Sequence, residues 1–259
     1  SRGDIIVMTD DDVVAPPQWL ERLVEPFRAR HIGVVTGNVL PLSLDARSQR
    51  IFEGAGGLGK GDRCFAVGHE WLASPSWAPP RVWDLGASAN AAFRRELFCD
   101  PSVGLMDEAL GPGTPAGVGE DCYLIYRALL AGYGLFYAAD AAVFHQHRDT
   151  LPALRRQMYA YGKGHVAYLL TTLIRHRDLR ALPRLLFTLP AWHAWRLLQG
   201  PRKNQAFDRS VVLHELIGYL AGPVAWMHSL LRARRLKFLA AGSHHLPALD
   251  PPDPCRDSL

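Results

Sequence analysis

The sequence predicts an α/β fold with a mostly parallel sheet and flanking helices, followed by a helical region. Short apolar runs such as Ile5–Thr9 indicate strands buried on both faces. Amphipathic stretches alternate with these runs, as in βαβ units. After residue 151 long apolar segments replace the alternation. The predicted parts are a sheet region at 1–150, a helical region at 151–241 and a disordered tail at 242–259.

Composition excludes several classes of protein. The chain has 259 residues, 48% hydrophobic and 21% charged, so it can bury a substantial core. Its formal net charge of +4 suits an anionic substrate or an anionic membrane surface, and is too weak to indicate nucleic-acid binding. The four cysteines form no Cys-x-x-Cys pair. Neither a zinc ribbon nor a redox motif is therefore indicated, and a reduced, cytoplasmic setting is the default.

The first predicted strand ends in three consecutive carboxylates, Asp10, Asp11 and Asp12. Open α/β sheets bind ligands at the carboxyl ends of their strands. Adjacent carboxylates repel one another, and a hard cation such as Mg²⁺ or Mn²⁺ removes that penalty. A solvated turn that caps the next helix is the alternative. A cap explains one Asp and should lie next to the helix, so we expect a metal site.

A predicted helix over residues 19–30 and a strand over 32–40 complete the first βαβ unit. The glycine-rich residues 54–61 then match a dinucleotide fingerprint by letters and nearly match a phosphate-binding loop. Both motifs need a buried strand before the loop, and the preceding residues are polar. A phosphate-binding loop also needs Ser or Thr after Lys60, where this chain has Gly61. We therefore predict a flexible loop.

Two segments in the middle of the chain are candidates for lining a pocket. Residues 71–84 are rich in Trp and Pro and predict irregular surface chain that offers aromatic faces to a ligand. The run of small residues that follows includes Gly86, Ser88 and Asn90. It allows close approach of a ligand to the backbone or, equally well, tight packing between strands.

Two further polar clusters stand where a helix begins and where a strand ends. Glu120 and Asp121 begin a helix, where an acid pair also complements the helix dipole. His145 and His147 follow a predicted strand, where a histidine is most often an ordinary surface or core residue. Each cluster has an ordinary explanation by itself, but their joint occurrence after the three aspartates is much harder to explain in that way.

Apolar segments in the last third of the chain carry Trp192 and Trp195 and precede a basic run at 232–237. Apolar helices with aromatic and basic flanks suit a membrane surface. The longest uncharged stretch, 216–231, is too short for a comfortable span and contains Gly-Pro. An ordinary helical subdomain packed on the sheet is the alternative, and the sequence leaves both open.

These motifs together resemble the family 2 glycosyltransferases of the GT-A type, over about residues 3–165. The matching features are Asp10-x-Asp12 with Trp19-Leu20, the run from Gly86 to Arg95, Gly119-Glu120-Asp121 with Leu124 and Arg127, Gly132-Tyr133, and the strand that ends at His145. The resemblance implies a GT-A-like fold. It also implies transfer of a sugar from a nucleotide-diphosphate donor to a saccharide or lipid-linked acceptor, with inversion at the anomeric carbon.

The resemblance also implies roles for individual residues. Asp10, Asp12 and His145 would hold Mg²⁺ or Mn²⁺ on the donor diphosphate, with Asp11 beside them and His147 as an alternative ligand. Asp121 would be the base that takes the acceptor proton, with Glu120 as second choice. The other expected contacts are Gly86, Ser88 and Asn90 to the sugar, and Gln157 and Tyr161 to diphosphate or acceptor. The expected location is cytoplasmic, at the inner face of the membrane.

The start of the chain departs from the family pattern. The chain opens at Ser1 without Met and enters a strand almost at once. Family members begin with a βαβ half that holds the base and ribose, and nothing here corresponds to it. We therefore expect upstream sequence to be missing, with weak donor binding and poor transfer by residues 1–259 alone. A non-catalytic remnant that serves as a binding module is one alternative, and a phosphate-binding NTPase built on residues 54–61 is less favoured.

Overall fold

The computed structural model describes residues 3–203 and 207–242. Its strands are β1 (Ile5–Thr9), β2 (Val13–Val14), β3 (Ile32–Pro41), β4 (Phe65–Val67), β5 (Asn90–Arg94) and β6 (Gly134–His145). Its helices are α1 (Trp19–Val24), α2 (Arg47–Gly54), α3 (His69–Ala73), α4 (Arg95–Cys99), α5 (Glu120–Leu130), α6 (Leu151–His176), α7 (Ala181–Pro183), α8 (Leu189–Lys203) and α9 (Arg209–Gly242). The expected α/β architecture with a helical C-terminal region is confirmed.

The strands form one sheet in the order β1-β5-β3-β6-β2, with β4 paired to β6. Among the described residues only β3 and β6 pair in parallel, and the other pairings are antiparallel. The expectation of a mostly parallel sheet was wrong, because β5 inserts between β1 and β3 in the opposite direction. As a result β1, β3 and β6 still point the same way. The carboxyl ends of β1 and β6 therefore lie at the same edge of the sheet.

Strand β1 is less buried than its apolar sequence suggests. Its residues Ile5 to Met8 are half-buried, whereas the central strand β3 is buried from Ile32 to Val39. Within the described residues β1 pairs with β5 alone, so one of its backbone edges has no strand partner. A strand with one open edge is covered less than a central strand, so the predicted burial of β1 on both faces is incomplete.

The two faces of the sheet carry apolar layers of different size. The larger layer joins Phe93 and Leu135 of the sheet to Leu124 of α5 and Leu169 of α6. The smaller layer lies under α1, which ends at Val24 and continues as a 3₁₀ turn over Glu25–Arg28. Pro26 lies within that turn and has no N–H to donate, so the predicted helix over 19–30 is shorter than expected.

Helices α6 and α9 lie against each other at backbone contact distance. A Cβ atom built on Gly162 would lie 2.3 Å from the carbonyl oxygen of Glu215. A Cβ atom on Gly218 would lie 2.2 Å from the carbonyl oxygen of Tyr159. These two glycines, one on each helix, thus allow the close crossing, and α6 is continuous. The boundary near residue 150 stays a prediction, and residues 243–259 of the predicted tail lie outside the described residues.

Candidate active site

A two-residue strand brings the aspartates to His145. After β1 the chain crosses the end of the sheet and forms β2, in which Val13 pairs with His145 and Val14 with Phe144. The N–H of Gln146 donates to the carbonyl oxygen of Asp12 at 2.9 Å. Sequence reasoning missed β2, which is too short to give a periodic signal. This pairing places the end of β1 and the end of β6 side by side.

The side chains of Asp10, Asp12 and His145 converge on one point. His145 Nε2 lies 3.1 Å from Asp12 Oδ1 and 3.5 Å from Asp10 Oδ2. The candidate ligand atoms all lie within 4.8 Å of one another. Adjacent ligands of an octahedral ion with bonds of about 2.1 Å lie about 3 Å apart, so this donor set fits a single small divalent cation. Asp11 is exposed and is not part of the cluster.

His147 lies behind His145, away from the aspartates. Its Nδ1 is 3.2 Å from His145 Nδ1, and its Nε2 is 2.7 Å from Oε1 of Glu53 on α2. Of the two histidines that the sequence left as alternatives, the geometry therefore favours His145 as the ligand. Sequence reasoning missed Glu53, which appeared only as one of the polar residues before the glycine-rich loop. No signal in the local sequence links α2 to the end of β6.

Asp121 and Glu120 stand at the first turn of α5, with different surroundings. Asp121 Oδ2 accepts a hydrogen bond from Ser88 N–H at 3.2 Å, and Oδ1 accepts one from Cys122 N–H at 2.7 Å. Glu120 Oε2 is buried and has no hydrogen-bond partner within the described residues. Burial, and secondarily the charge of Asp121, raise the pKa of Glu120 to about 7. Both groups are therefore candidate proton acceptors.

Tyr161 of α6 has a buried hydroxyl on which a strand-end aspartate and an acid of the α5 pair both act electrostatically. Its hydroxyl accepts a hydrogen bond from Gln157 Nε2 at 2.9 Å. Burial raises the pKa of the Tyr161 hydroxyl, and the carboxylates of Asp121 and Asp10 act on it in the same direction. One hydroxyl group is thus within electrostatic reach of both clusters. Asp10 acts in the same direction on the pKa of Glu120, so the strand-end aspartates and the start of α5 are close enough to interact electrostatically.

Gly86 and Ser88, which precede β5, have different roles. The backbone N–H of Ser88 holds Asp121, as described above. Gly86 is buried at a φ of 132°, and a Cβ atom there would lie 2.4 Å from Cβ of Thr36, so it allows tight packing. This is the structural alternative that the sequence left open.

Asn90 does not face the site, which corrects its expected role as a sugar contact. Its side chain is fully buried. Nδ2 donates to the carbonyl oxygens of Asn38 at 2.8 Å and Ala141 at 2.7 Å, across the irregular register between β3 and β6. Oδ1 accepts a hydrogen bond from Trp19 Nε1 at 2.8 Å. With its donors and its acceptor occupied in this way, Asn90 ties strands together.

The glycine-rich loop has neither of the contexts that its motifs require. Helix α2 precedes it, where both motifs need a strand, and β4 follows it. Tyr137 fixes the loop by accepting from Lys60 N–H at 3.3 Å and donating to the Gly61 carbonyl at 2.9 Å. Burial lowers the pKa of the Lys60 ammonium, while the carboxylates of Asp84 and Asp121 act in the opposite direction. The loop thus places a cation near the start of α5.

A family model described as glycosyl transferase family group 2 matches residues 5–233. The chain belongs to this family. Among curated proteins, this glycosyltransferase is 28% identical over 154 residues to the O-antigen chain rhamnosyltransferase WbaN of Salmonella anatum. That match covers 56% of this chain and 42% of the rhamnosyltransferase, so the chain spans less than half of its relative's length. The family membership expected from the motifs is confirmed, and with it a GT-A-like α/β fold.

Proposed function

We propose that this glycosyltransferase transfers a sugar from a nucleoside-diphosphate donor to a hydroxyl acceptor in a metal-dependent, inverting reaction. The observation that carries the proposal is the convergence of Asp10, Asp12 and His145 on one point, and the electrostatic effect of both Asp10 and Asp121 on the Tyr161 hydroxyl supports a shared site. The likeness to an O-antigen rhamnosyltransferase supports a saccharide acceptor and makes a rhamnosyl donor the first to test. The donor reaches its site from the cytoplasm.

The leaving group of this reaction is a nucleoside diphosphate, whose negative charge needs compensation. Asp10, Asp12 and His145 would hold Mn²⁺ or Mg²⁺, which when bound neutralises the diphosphate and acts as a Lewis acid. An imidazole among carboxylates favours Mn²⁺ over Mg²⁺. Two cations of the chain support the same task. Arg148 Nη1 lies 3.8 Å from Asp12 Oδ2, and Lys60 lies near Asp121.

The acceptor hydroxyl must lose its proton as it attacks the anomeric carbon, and Asp121 is the proposed base. The N–H groups of Ser88 and Cys122 fix its carboxylate. A carboxylate held in this way can meet the acceptor proton in one orientation, as general-base catalysis requires. The acceptor attacks the face opposite the departing diphosphate, so a single displacement inverts the configuration. Glu120 remains the second candidate, because its raised pKa suits proton transfer near neutral pH.

The proposed metal role is tested by comparing Asp12→Asn with Asp11→Asn, a neighbouring carboxylate outside the cluster. Mn²⁺ binding is measured by electron paramagnetic resonance, and transfer is measured with nucleoside-diphosphate sugars, beginning with rhamnosyl donors. Asp12→Asn should lose Mn²⁺ binding and metal-dependent transfer, whereas Asp11→Asn should keep both. Equal Mn²⁺ affinity in wild type and Asp12→Asn would refute the site. Mn²⁺ binding without transfer from any donor would favour the non-catalytic alternative.

We also propose that α8 and α9 rest on a membrane surface without crossing it. By length and composition, Arg209–Leu239 is long and apolar enough to span a membrane, and 22% of its most apolar window is buried. Its outer face exposes Leu220 and Val224, and the rings of Trp192 and Trp195 on α8 stack at 5.1 Å between centroids. Its inner face lies against α6, which favours an interfacial position over a span.

A further inference from the structure

Three contacts link Glu53 to the proposed metal ligands through two histidines. Glu53 Oε1 lies 2.7 Å from His147 Nε2. His147 Nδ1 lies 3.2 Å from His145 Nδ1. The remaining nitrogen, His145 Nε2, lies 3.1 Å from Asp12 Oδ1. Both imidazoles are buried, with side-chain exposures of 8% for His145 and 1% for His147.

When a metal ion is bound, the charge of Glu53 fixes the positions of the protons in this series of contacts. An ionised carboxylate only accepts hydrogen bonds, so His147 Nε2 must carry a proton and donate it. A neutral His147 then has a lone pair on Nδ1. The facing nitrogen, His145 Nδ1, must therefore carry a proton to donate. With a metal ion held by Asp10 and Asp12, the lone pair of a neutral His145 lies on Nε2, the atom that faces the two aspartates and the one the ion would use. Without an ion, the Asp12 carboxylate at 3.1 Å also only accepts, so it competes with Glu53 for a proton.

Packing around His147 holds the chain of contacts in place. The ring of Phe52 meets the ring of His147 edge to face, with centroids 4.9 Å apart. Gln49 Nε2 lies 3.4 Å from the His147 carbonyl oxygen. Gln49, Phe52 and Glu53 all belong to α2, so one helix supplies the carboxylate, the aromatic contact and the contact to the backbone. A rigid element of this kind restricts the ring to one orientation.

We propose that Glu53 and His147 are positioning residues that keep His145 in the tautomer with a proton on Nδ1 and a free lone pair on Nε2. The inference rests on the metal site of the proposed function. It adds to that site an outer layer contributed by α2, a helix that supplies no ligand. Without the Glu53 carboxylate, His147 can also present Nδ1–H to His145. His145 then carries its proton on Nε2, and the proton occupies the metal-binding position.

The test uses Glu53→Gln, in which the amide can donate as well as accept, and His147→Phe, which removes the acceptor but keeps the Glu53 charge. Glu70→Gln is the matched control, because it removes one carboxylate from an exposed helix position. The tautomers of His145 and His147 are read from long-range ¹H–¹⁵N correlations with excess Mg²⁺, which is diamagnetic, at pH 8, where an ordinary imidazole is neutral. Mn²⁺ affinity is measured by electron paramagnetic resonance, and thermal melting confirms folding.

Wild type and Glu70→Gln should show the Nδ1–H form of His145 and the Nε2–H form of His147. Glu53→Gln should show mixed tautomers and bind Mn²⁺ about 10- to 100-fold more weakly, the usual effect of losing an outer partner of a ligand. His147→Phe should lose similar affinity, which a charge effect of Glu53 alone would not produce. Unchanged tautomers and an affinity within about twofold of wild type in both variants would overturn the proposal. If wild type binds neither Mn²⁺ nor Mg²⁺, the proposed function fails, whereas wild type that binds both ions with the His145 proton on Nε2 would refute the tautomer proposal alone.

Discussion

Two buried glutamates, one in each region of the molecule, have opposite surroundings. Glu215 of α9 forms an ion pair with Arg196 of α8, and His193 lies 3.7 Å away. Burial opposes its ionisation, but His193 and Arg196 outweigh burial and lower the pKa of Glu215. Glu120, at the start of α5, has no cation paired with it in the part of the chain that the structure describes, and burial raises its pKa to about 7. A Cβ atom on Gly111 would lie 3.0 Å from the Glu120 carboxyl carbon, so the preceding loop encloses it.

A buried acid that stabilises the fold and a buried acid that serves a reaction have different neighbours. The helical region neutralises its buried carboxylate with cations, as a packed interior requires. The end of the sheet instead buries an acid beside another acid, at a cost in stability. Such groups cluster at catalytic sites, because proton transfer needs a pKa near the working pH. We infer that the start of α5 serves the reaction and that the α8–α9 contact serves the fold.

The largest expected effect is on turnover. Asp121→Asn should lower the turnover number by about 10²- to 10⁴-fold, the usual scale for losing a general base, with donor affinity nearly intact. Glu120→Gln should lower it much less. Steady-state kinetics and donor binding by calorimetry decide the point. If donor affinity collapses while turnover at saturation does not, Asp121 binds the donor, and if Glu120→Gln has the larger effect, the two roles are exchanged.

The second effect is on folding of the helical region. Glu215→Gln should lower the free energy of unfolding by about 3 kcal/mol at neutral pH, because Arg196 and His193 then stay buried without their counter-charge. The lowered pKa means that this contribution is present above the ordinary value of 4.5 and is lost as pH falls through the folded value.

Urea denaturation with Glu108→Gln as control measures the Glu215 effect. Glu108 forms an exposed ion pair with Lys237 at 3.4 Å, and its loss should change the free energy of unfolding little. Equal effects of the two substitutions would contradict a structural role for Glu215.

The third effect, at Glu120, is a gain in the free energy of unfolding and not a loss. The folded state raises the pKa of Glu120 from 4.5 to about 7, so it favours the protonated form. The contribution of this group to stability is fully present below pH 4.5 and is lost as pH rises through about 7. Glu120→Gln, which stays neutral, should therefore stabilise the protein by about 2–3 kcal/mol at pH 8 and by little at pH 4.5. Urea denaturation at both pH values tests this, and a destabilised variant at pH 8 would contradict it.

The smallest effect concerns the outer face of the helical region. Trp192 is 48% exposed and Trp195 is 42% exposed. Replacing both by Ala should weaken binding to anionic vesicles by about 30-fold, since each ring contributes about 1 kcal/mol of apolar burial. Trp77, which is 67% exposed on a loop before β5, is the control and should have no effect. A carbonate wash that fails to release the wild-type protein would indicate insertion across the membrane.

Periodicity and local chemistry predicted a large part of this protein. The apolar runs at β1, β3 and β6 and the amphipathic α5 are recognisable because their burial follows from their own residues. The aspartates at the end of β1, the acid pair at the start of α5 and His145 at the end of β6 were named from the same pattern. Each of these groups lies beside an apolar or amphipathic segment, so its polar residues stand out in the local sequence.

Relations between distant segments required the tertiary structure. Three of these relations join residues that are far apart in the chain. They are the pairing of Val13 with His145, the hydrogen bond from Asn90 to Asn38, and the contact between Glu53 and His147. Strand neighbours determine the direction of β5 and the burial of β1. The neighbours themselves depend on packing across the whole sheet. The sequence by itself determined which groups are available for chemistry. Only the fold decided which of them meet, because a contact depends on two surfaces and local sequence describes one at a time.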